Sequence, residues 1–197
     1  MKRLLIVVDF QKDFVDGSLG FEEAKKLEAP IAAKINAYRN EGDELIFTFD
    51  THTKDYAESL EGRYLPIAHC IKGSEGWQPY GKIADLITDR DMIFMKPAFG
   101  SIELAEMLKR RQDQASELSK LPFKSIELVG LVSNICVLSN AVIAKAACPN
   151  VPVIVDAACT ASFDASLHEK ALDIMEGLHI EVSNRTDSGT FASVNHE

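Results

Sequence analysis

Residues 126–144, IELVGLVSNICVLSNAVIA, carry the clearest structural signal in the chain. The segment begins with a largely apolar run of strand length that contains Gly130. Ser133 and Asn134 then supply side chains that commonly begin helices, and apolar residues recur at helical spacing from Ile135. The segment therefore predicts a strand, a tight turn and a helix whose first turn contains Cys136.

Cys136 is a candidate nucleophile because of this position. Backbone N–H groups and the helix dipole favour an anion at the start of a helix, so we expect the pKa of the Cys136 thiol to be lowered. The alternative is that Cys136 is one more small buried apolar residue, as most free cysteines are. The segment alone leaves both interpretations open.

Strand and helix patterns alternate on both sides of this segment. The predicted strands cover residues 3–9, 44–50, 92–96, 125–132, 151–157 and 179–183, and the predicted helices cover residues 22–40, 82–88, 102–115, 134–147 and 166–177. Strands that are apolar almost throughout belong to parallel sheets with both faces covered. The pattern predicts an α/β fold, a three-layer α/β/α sandwich around a parallel sheet.

Length and composition limit the possible functions. The chain has 197 residues, of which 46% are hydrophobic, so we expect a single domain over residues 1–184. The composition turns polar after Asn184, so we expect a poorly ordered tail over residues 185–197. The net charge of −9 argues against nucleic-acid and membrane partners. The N-terminal apolar run is broken by Asp9, so we expect a cytoplasmic protein without a signal peptide. Four cysteines in a chain of this length do not indicate a disulfide framework.

Four residues with useful chemistry follow four predicted strands. Asp9, Asp50 and Lys96 end the first three strands, and Cys136 follows the fourth. Each has an ordinary explanation as a turn or surface residue, but the carboxyl ends of parallel strands meet at one edge, where ligands bind. Asp9 would accept the thiol proton, and Lys96 would hold both the carboxylate and the thiolate charged. Acyl transfer is the chemistry that this combination predicts.

A second cluster lies in the long loop over residues 51–77. Asp50 and His52 are two residues apart at a strand end, so their side chains point the same way, and Glu61 and His69 follow in the loop. Two histidines with carboxylates suit Zn²⁺, Mn²⁺ or Fe²⁺. Because loop histidines are often simply solvated, the pattern alone leaves the metal open.

Four motifs together resemble one known family. They are D-F-Q-K-D-F at residues 9–14, D-T-H at residues 50–52, K-P-A-F-G-S at residues 96–101 and G-L-V-S-N-I-C-V at residues 130–137. In this order they resemble the isochorismatase-like cysteine hydrolases, and within these the nicotinamidase (pyrazinamidase) branch, over residues 3 to about 182. The resemblance implies a Rossmann-like fold with six parallel strands in the order 3-2-1-4-5-6. It also implies a carbon–nitrogen hydrolase that converts nicotinamide to nicotinate and ammonia through a thioester.

The same resemblance assigns roles within the site. It implies a catalytic triad of Asp9, Lys96 and Cys136, and an oxyanion held by the backbone N–H groups of Val132 and Cys136, with a cis peptide bond before Val132. It implies a divalent metal, zinc as first choice and manganese or iron as alternatives, whose ligands are Asp50, His52, His69 and Glu61. Glu58 competes with Glu61 for the fourth position. The proposed aromatic wall around the substrate consists of Phe14, Trp77 and Phe99.

The sequence leaves other interpretations open. The chain has Ser133-Asn134 where the family often has Thr-Asp, although both pairs can begin a helix. Family members that act on other small amides, ureido compounds or vinyl ethers share all or part of the triad. A non-enzymatic nucleotide-binding module ranks lower, because no G-x-G-x-x-G motif follows the first strand. The family also implies a homo-oligomer.

Overall fold

A six-stranded parallel sheet forms the centre of the molecule in the computed structural model, which describes residues 1–186. Its order is β3-β2-β1-β4-β5-β6, which confirms the predicted order. The strands are β1 (Leu4–Val8), β2 (Glu44–Asp50), β3 (Met92–Lys96), β4 (Ile126–Leu131), β5 (Val153–Ala161) and β6 (Glu181–Ser183). Because the order reverses between β1 and β4, a crevice opens at the carboxyl ends of these two strands.

Helices cover both faces of the sheet, which confirms the three-layer prediction. They are α1 (Lys12–Val15), α2 (Glu22–Lys26), α3 (Glu28–Asn40), α4 (Leu60–Tyr64), α5 (Gly81–Leu86), α6 (Ile102–Glu117), α7 (Leu138–Ala147) and α8 (Ala165–Gly177). All five residues of β1 are buried, and their side chains alternate between the two faces. Leu4 and Ile6 pack in the core under α6, α7 and α8, whereas Leu5 and Val7 pack in the core under α3.

Gly130 allows the two central strands to lie close together. Its φ is +110°, and a Cβ atom built there would lie 2.0 Å from the carbonyl oxygen of Val8. Val8 pairs with Gly130 on one side and with Thr48 on the other. Any larger residue at position 130 would therefore push β1 and β4 apart, and with them the residues that follow these strands.

Several boundaries differ from the predicted ones. The helix predicted over residues 22–40 is divided at Leu27 into α2 and α3, because Pro30 has no N–H to continue the hydrogen-bond ladder. Strand β5 continues to Ala161, past the predicted end at residue 157, through a shift in its register with β4. The loop over residues 51–77 contains α4 and a 3₁₀ turn, Tyr56–Glu58.

The predicted tail lies mostly outside the described residues, since the description ends at residue 186. Of its first two residues, Arg185 pairs with Asp173 and Glu176 of α8. The boundary of a single domain at residue 184 stays a prediction. Within residues 1–186, the structure contains no helix that combines the length and the apolar character needed to span a membrane.

Candidate active site

Four adjacent strands bring the predicted catalytic residues to one edge of the sheet. Asp9 follows β1, Asp50 ends β2 and Lys96 ends β3, while Cys136 lies in the turn after β4. All four are almost completely buried. Charged residues at such depth require partners, so their contacts define the site.

Lys96 connects the other three residues. Its Nζ lies 2.6 Å from Oδ2 of Asp9, 3.2 Å from Oδ1 of Asp50 and 3.3 Å from Sγ of Cys136. It also donates a hydrogen bond to the carbonyl oxygen of Ala98. A single buried ammonium group therefore contacts the thiol and both carboxylates.

The Asp9 side chain is fixed by its backbone and by β2. Its φ is +46°, a left-handed conformation that is uncommon outside glycine and recurs at functional sites. The Asp9 N–H donates to the carbonyl oxygen of Thr48, and the Thr48 hydroxyl donates to Oδ1 of Asp9 at 2.7 Å. Sequence reasoning missed Thr48, because nothing distinguishes a strand threonine until its partner is known.

The protonation of the site follows from burial and from these contacts. Burial raises the pKa of Cys136 well above its usual range, and the charge of Lys96 opposes this only in part. The expectation of a lowered thiol pKa is therefore wrong for the resting protein, since burial and the neighbouring carboxylates Asp9 and Asp50 raise the pKa more than Lys96 lowers it. Burial also raises the pKa of Asp9, which makes its carboxylate a stronger base. Burial alone would lower the pKa of Lys96, but Asp9, Cys136 and Asp50 raise it well above its usual range.

The turn that carries Cys136 is a π-helical turn, Ser133–Val137, which leads into α7. The peptide bond between Leu131 and Val132 is cis, which confirms that prediction. Asn140, one helical turn after Cys136, donates to the carbonyl oxygens of Cys136 and Phe99 and accepts from the N–H of Ser101. The Asn140 amide thus joins the turn to the segment after Lys96. Sequence reasoning missed Asn140, which has no signature beyond its helical spacing from Cys136.

The predicted metal ligands converge beside the triad. Nε2 of His52 lies 3.0 Å and Nε2 of His69 lies 3.3 Å from Oδ2 of Asp50, and both nitrogens lie 3.7 Å from Oε1 of Glu61. Four ligands at about 2.0–2.1 Å from zinc in a tetrahedron lie about 3.3 Å apart. The donor atoms of Asp50, His52 and His69, which all lie within 4.8 Å of one another, therefore fit a divalent metal, and Glu61 lies beside them as the fourth candidate.

The surrounding contacts orient this donor set. Nδ1 of His69 lies 2.8 Å from the carbonyl oxygen of Ile67, which leaves Nε2 free to act as a ligand when the ring is neutral. The buried Gln11 side chain bonds both the N–H and the carbonyl oxygen of Asp50. Glu58 is exposed in the 3₁₀ turn, so Glu61 is the glutamate that faces the histidines. Sequence reasoning missed Gln11, although it lies two residues after Asp9 in the first motif.

A cavity of about 330 Å³ opens above both clusters. Cys136, Asp50, Glu61 and His69 are its polar lining residues. Its apolar lining consists of Phe14, Leu19, Gly20, Phe21, Leu65, Ile67, Phe99, Val132, Ile135 and Phe163. A small apolar molecule bound here would contact the thiol and the metal ligands together.

The aromatic wall differs from its prediction at one position. Phe14 and Phe99 line the cavity, and Phe14 also packs on His69 at 5.5 Å between ring centroids. Trp77 does not line it. The Trp77 ring packs edge-on against Phe49, and its Nε1–H donates to the hydroxyl of Thr51. Trp77 therefore holds the long loop against β2 instead of facing a substrate.

Known proteins match this fold and this chain. The family model of the isochorismatase domain matches residues 3–187. Similar solved structures include a nicotinamidase/pyrazinamidase from Bacillus subtilis, with 28% identity, coverage of 93% of this chain and 100% of that chain, and a TM-score of 0.79. A pyrazinamidase of Pyrococcus horikoshii in complex with zinc is 22% identical, and the match covers 92% of this chain and 98% of that chain with a TM-score of 0.75.

Other matches widen the range of activities in this fold. An N-carbamoylsarcosine amidase from Thermoplasma acidophilum is 22% identical, and the match covers 95% of this chain and 100% of that chain with a TM-score of 0.71. A search of curated protein sequences found no match. Because the family model matches almost the whole chain, the protein belongs to the isochorismatase family of hydrolases.

Proposed function

We propose that the protein hydrolyses nicotinamide to nicotinate and ammonia, with Cys136 as the nucleophile. One observation carries this proposal: the thiol of Cys136 and the cluster of metal-ligand residues open into the same small apolar cavity. The cavity has room for a pyridine ring, and its polar groups are the ones that an amide hydrolase requires. The similarity to a nicotinamidase at 28% identity supports the same substrate.

The first half of the reaction acylates Cys136. Asp9 accepts the thiol proton, and Sγ attacks the amide carbon, so that a C–S bond forms and the carbonyl oxygen becomes an oxyanion. Lys96, 3.3 Å from Sγ, stabilises the thiolate as it forms. The backbone N–H groups of Val132 and Cys136 receive the oxyanion. Asp9 then returns the proton to the amide nitrogen, the C–N bond breaks and ammonia leaves.

The second half hydrolyses the thioester. Asp9, again a carboxylate, takes a proton from water, and the hydroxide attacks the acyl carbon. The C–S bond breaks, the proton on Asp9 returns to the sulfur of Cys136, and nicotinic acid leaves as nicotinate after losing its proton to solvent. Because burial raises the pKa of Asp9, this carboxylate is suited to accept a proton twice in each cycle.

Asp50, His52, His69 and Glu61 would hold a divalent metal beside this centre. When bound, the metal would coordinate the pyridine nitrogen and so orient the amide toward Cys136. Zinc is proposed because the two imidazoles and the Asp50 carboxylate, with Glu61 as the fourth candidate, suit it, and because a similar structure is a zinc complex. Asp50 joins the two clusters, since Oδ1 contacts Lys96 and Oδ2 contacts both histidines.

The charge of the cavity favours an uncharged substrate. Among the described residues that line it, none is a lysine or an arginine. Lys96 is fully buried beneath Cys136 and is already paired with carboxylates. N-carbamoylsarcosine and isochorismate carry carboxylate groups. With no cationic side chain among the described lining residues, these groups would have to bind the proposed metal, a place that the uncharged ring nitrogen of nicotinamide takes in this proposal.

The test is ammonia release from a panel of amides by the purified, zinc-loaded protein. We expect release from nicotinamide and pyrazinamide and none above background from N-carbamoylsarcosine. Release from N-carbamoylsarcosine without release from nicotinamide would overturn the substrate assignment. It would leave the family membership unchanged, because that membership does not depend on the substrate.

A further inference from the structure

Three large, exposed apolar side chains surround the mouth of the cavity. Ile67 is 43% exposed, Phe99 is 47% exposed and Phe163 is 60% exposed, and all three line the cavity that contains Cys136. They come from three separate segments: the loop before His69, the loop after β3 and the turn after β5. The lining therefore changes from buried polar groups at the floor to exposed apolar groups at the mouth, where such side chains usually mark a binding surface.

The volume of the cavity exceeds what nicotinamide requires. An apolar cavity of about 150 Å³ accepts benzene, with six carbon atoms, so the nine non-hydrogen atoms of nicotinamide would need about 225 Å³ by the same ratio. The cavity measures about 330 Å³. Space on the order of 100 Å³ remains after nicotinamide has bound. A metal ion no larger than a water molecule would take at most about 30 Å³ of it, which leaves room for about three carbon atoms.

The remaining free volume would lie next to one carbon atom of the pyridine ring, because the proposed contacts fix the orientation of the substrate. In a pyridine-3-carboxamide, the ring nitrogen and the carboxamide flank C2. If the nitrogen faces the metal ligands and the amide faces Cys136, then C2 faces the floor. In this orientation the opposite ring carbon, C5, would point away from the floor, toward the exposed side chains of Ile67 and Phe163.

Phe163 is held in place for such a contact. Its ring packs edge-on against Phe21, with 6.3 Å between centroids and an angle of 86° between the ring planes. Phe21 also lines the cavity, although it comes from the segment before α2. The two rings therefore join separate parts of the chain into one apolar wall near the mouth.

We propose that this mouth binds an apolar substituent at C5, so that the preferred substrates are 5-alkyl pyridine-3-carboxamides. This inference rests on the proposed function, because it takes the orientation of the ring from it. The bond that is cleaved and the residues that cleave it stay the same. The added contact is between the alkyl group and the side chains of Ile67, Phe99 and Phe163.

The first test compares four amides: nicotinamide, its 5-methyl and 5-propyl derivatives, and 2-methylnicotinamide as the matched control. We expect KM to fall about fourfold for each added methylene at C5, as burial of such a group predicts. We expect 2-methylnicotinamide to be turned over at least about tenfold less efficiently than nicotinamide, since its methyl group meets the floor. Turnover of nicotinamide with no gain for the 5-propyl derivative would overturn the inference alone, whereas no turnover of any of the four would overturn the proposed function.

The second test asks whether the side chains at the mouth of the cavity cause the lower KM of the 5-propyl derivative. Phe163→Ser should remove most of the preference for 5-propyl over unsubstituted nicotinamide, whereas Phe163→Leu should keep most of it. Leu118→Ser, a substitution of a residue that is 67% exposed beyond the end of α6, should leave the preference unchanged. Calorimetric binding of the same two amides to the Cys136→Ala protein should show the same preference without turnover. A preference that survives Phe163→Ser would overturn the inference.

Discussion

At the scale of single residues, the behaviour of the site depends on the buried ammonium group of Lys96. Its Nζ contacts Asp9, Asp50 and Cys136, and all three side chains are almost completely buried, so water can replace this contact only in small part. Removal of one partner from a buried ion pair leaves an uncompensated charge, and this costs more than the pair itself contributes. We therefore expect Lys96 to matter for stability as well as for the proposed chemistry.

Lys96→Met tests this dual role. The side-chain volume is nearly kept, but Asp9 and Asp50 lose their cationic partner, so we expect the free energy of unfolding in urea to fall by about 3–5 kcal/mol. We also expect ammonia release to fall at least about a hundredfold, because the thiolate is no longer stabilised. Lys109→Met is the matched control: Lys109 pairs with Asp113 on the surface, and its loss should cost less than about 1 kcal/mol. Equal losses for the two variants would contradict the role of Lys96.

The glutamate of the proposed metal site can be tested in the same way. Glu61 faces both histidines at 3.7 Å, whereas Glu58 is exposed three residues earlier. We expect Glu61→Gln to weaken zinc binding at least about tenfold in competition with a chromogenic chelator, because one anionic ligand is lost. Glu58→Gln should bind zinc as the wild type does. The reverse result would move the fourth ligand to Glu58.

At the scale of elements, the distance between β1 and β4 sets the distance between Asp9 and Cys136. Asp9 follows β1 directly and Cys136 lies in the turn that begins right after β4, so a displacement of either strand is passed to these two residues. Gly130 is the contact point, with its positive φ and its close approach to Val8. The glycine thus links the packing of the sheet to the geometry of the site.

Gly130→Ala should damage stability and activity together. The added methyl would meet the carbonyl oxygen of Val8 in a backbone conformation that alanine rarely adopts, so we expect a loss of about 3 kcal/mol or more in the free energy of unfolding. Gly177→Ala is the control, because the methyl group that it adds at the end of α8 would have no neighbouring side chain or strand within 4 Å. There we expect a change between zero and a gain of about 1 kcal/mol. Similar losses of unfolding free energy at both positions would show that the close contact at Gly130 does not set the distance between β1 and β4.

The elements also show which features the sequence could predict. The six strands and their order follow from apolar runs, from a helix between most neighbours and from the motifs at the strand ends. The division of the helix at Leu27, the extension of β5 to Ala161 and the helices within the long loop depend on local hydrogen bonds and register, which no periodicity records. Aromatic residues often line ligand sites, which favours Trp77 as a cavity residue, but only tertiary packing shows that it supports the loop instead. The position of Cys136 in the sequence does not give its thiol pKa, because the extent of burial depends on all the layers together.

At the scale of the whole molecule, a second buried charge network lies away from the cavity. Lys34 of α3 pairs with Glu127 of β4 and with Asp156 of β5, and the hydroxyl of Tyr38 also donates to Glu127. Asn184 donates to the other oxygen of Asp156. The network therefore joins helix α3, two strands and the segment after β6.

This network predicts how stability responds to acid. Burial alone would raise the pKa of Asp156, but hydrogen bonds from Lys34 and Asn184 lower it below its usual range. Since the folded pKa lies below the unfolded one, the stabilisation is complete above the unfolded value and is lost as pH falls below about 4. We expect the free energy of unfolding to decrease over this range and to decrease less steeply in Asp156→Asn. The surface substitution Asp113→Asn should keep the wild-type slope, and an unchanged slope in Asp156→Asn would contradict the prediction.

The most direct measurement is ammonia release from nicotinamide by the zinc-loaded wild type and by Cys136→Ala. The proposed mechanism predicts turnover by the wild type and none above background by the variant, because no other group replaces the sulfur in the thioester. Urea unfolding of both proteins controls for the fold. Release of ammonia by a folded Cys136→Ala protein at a rate near that of the wild type would contradict nucleophilic attack by Cys136.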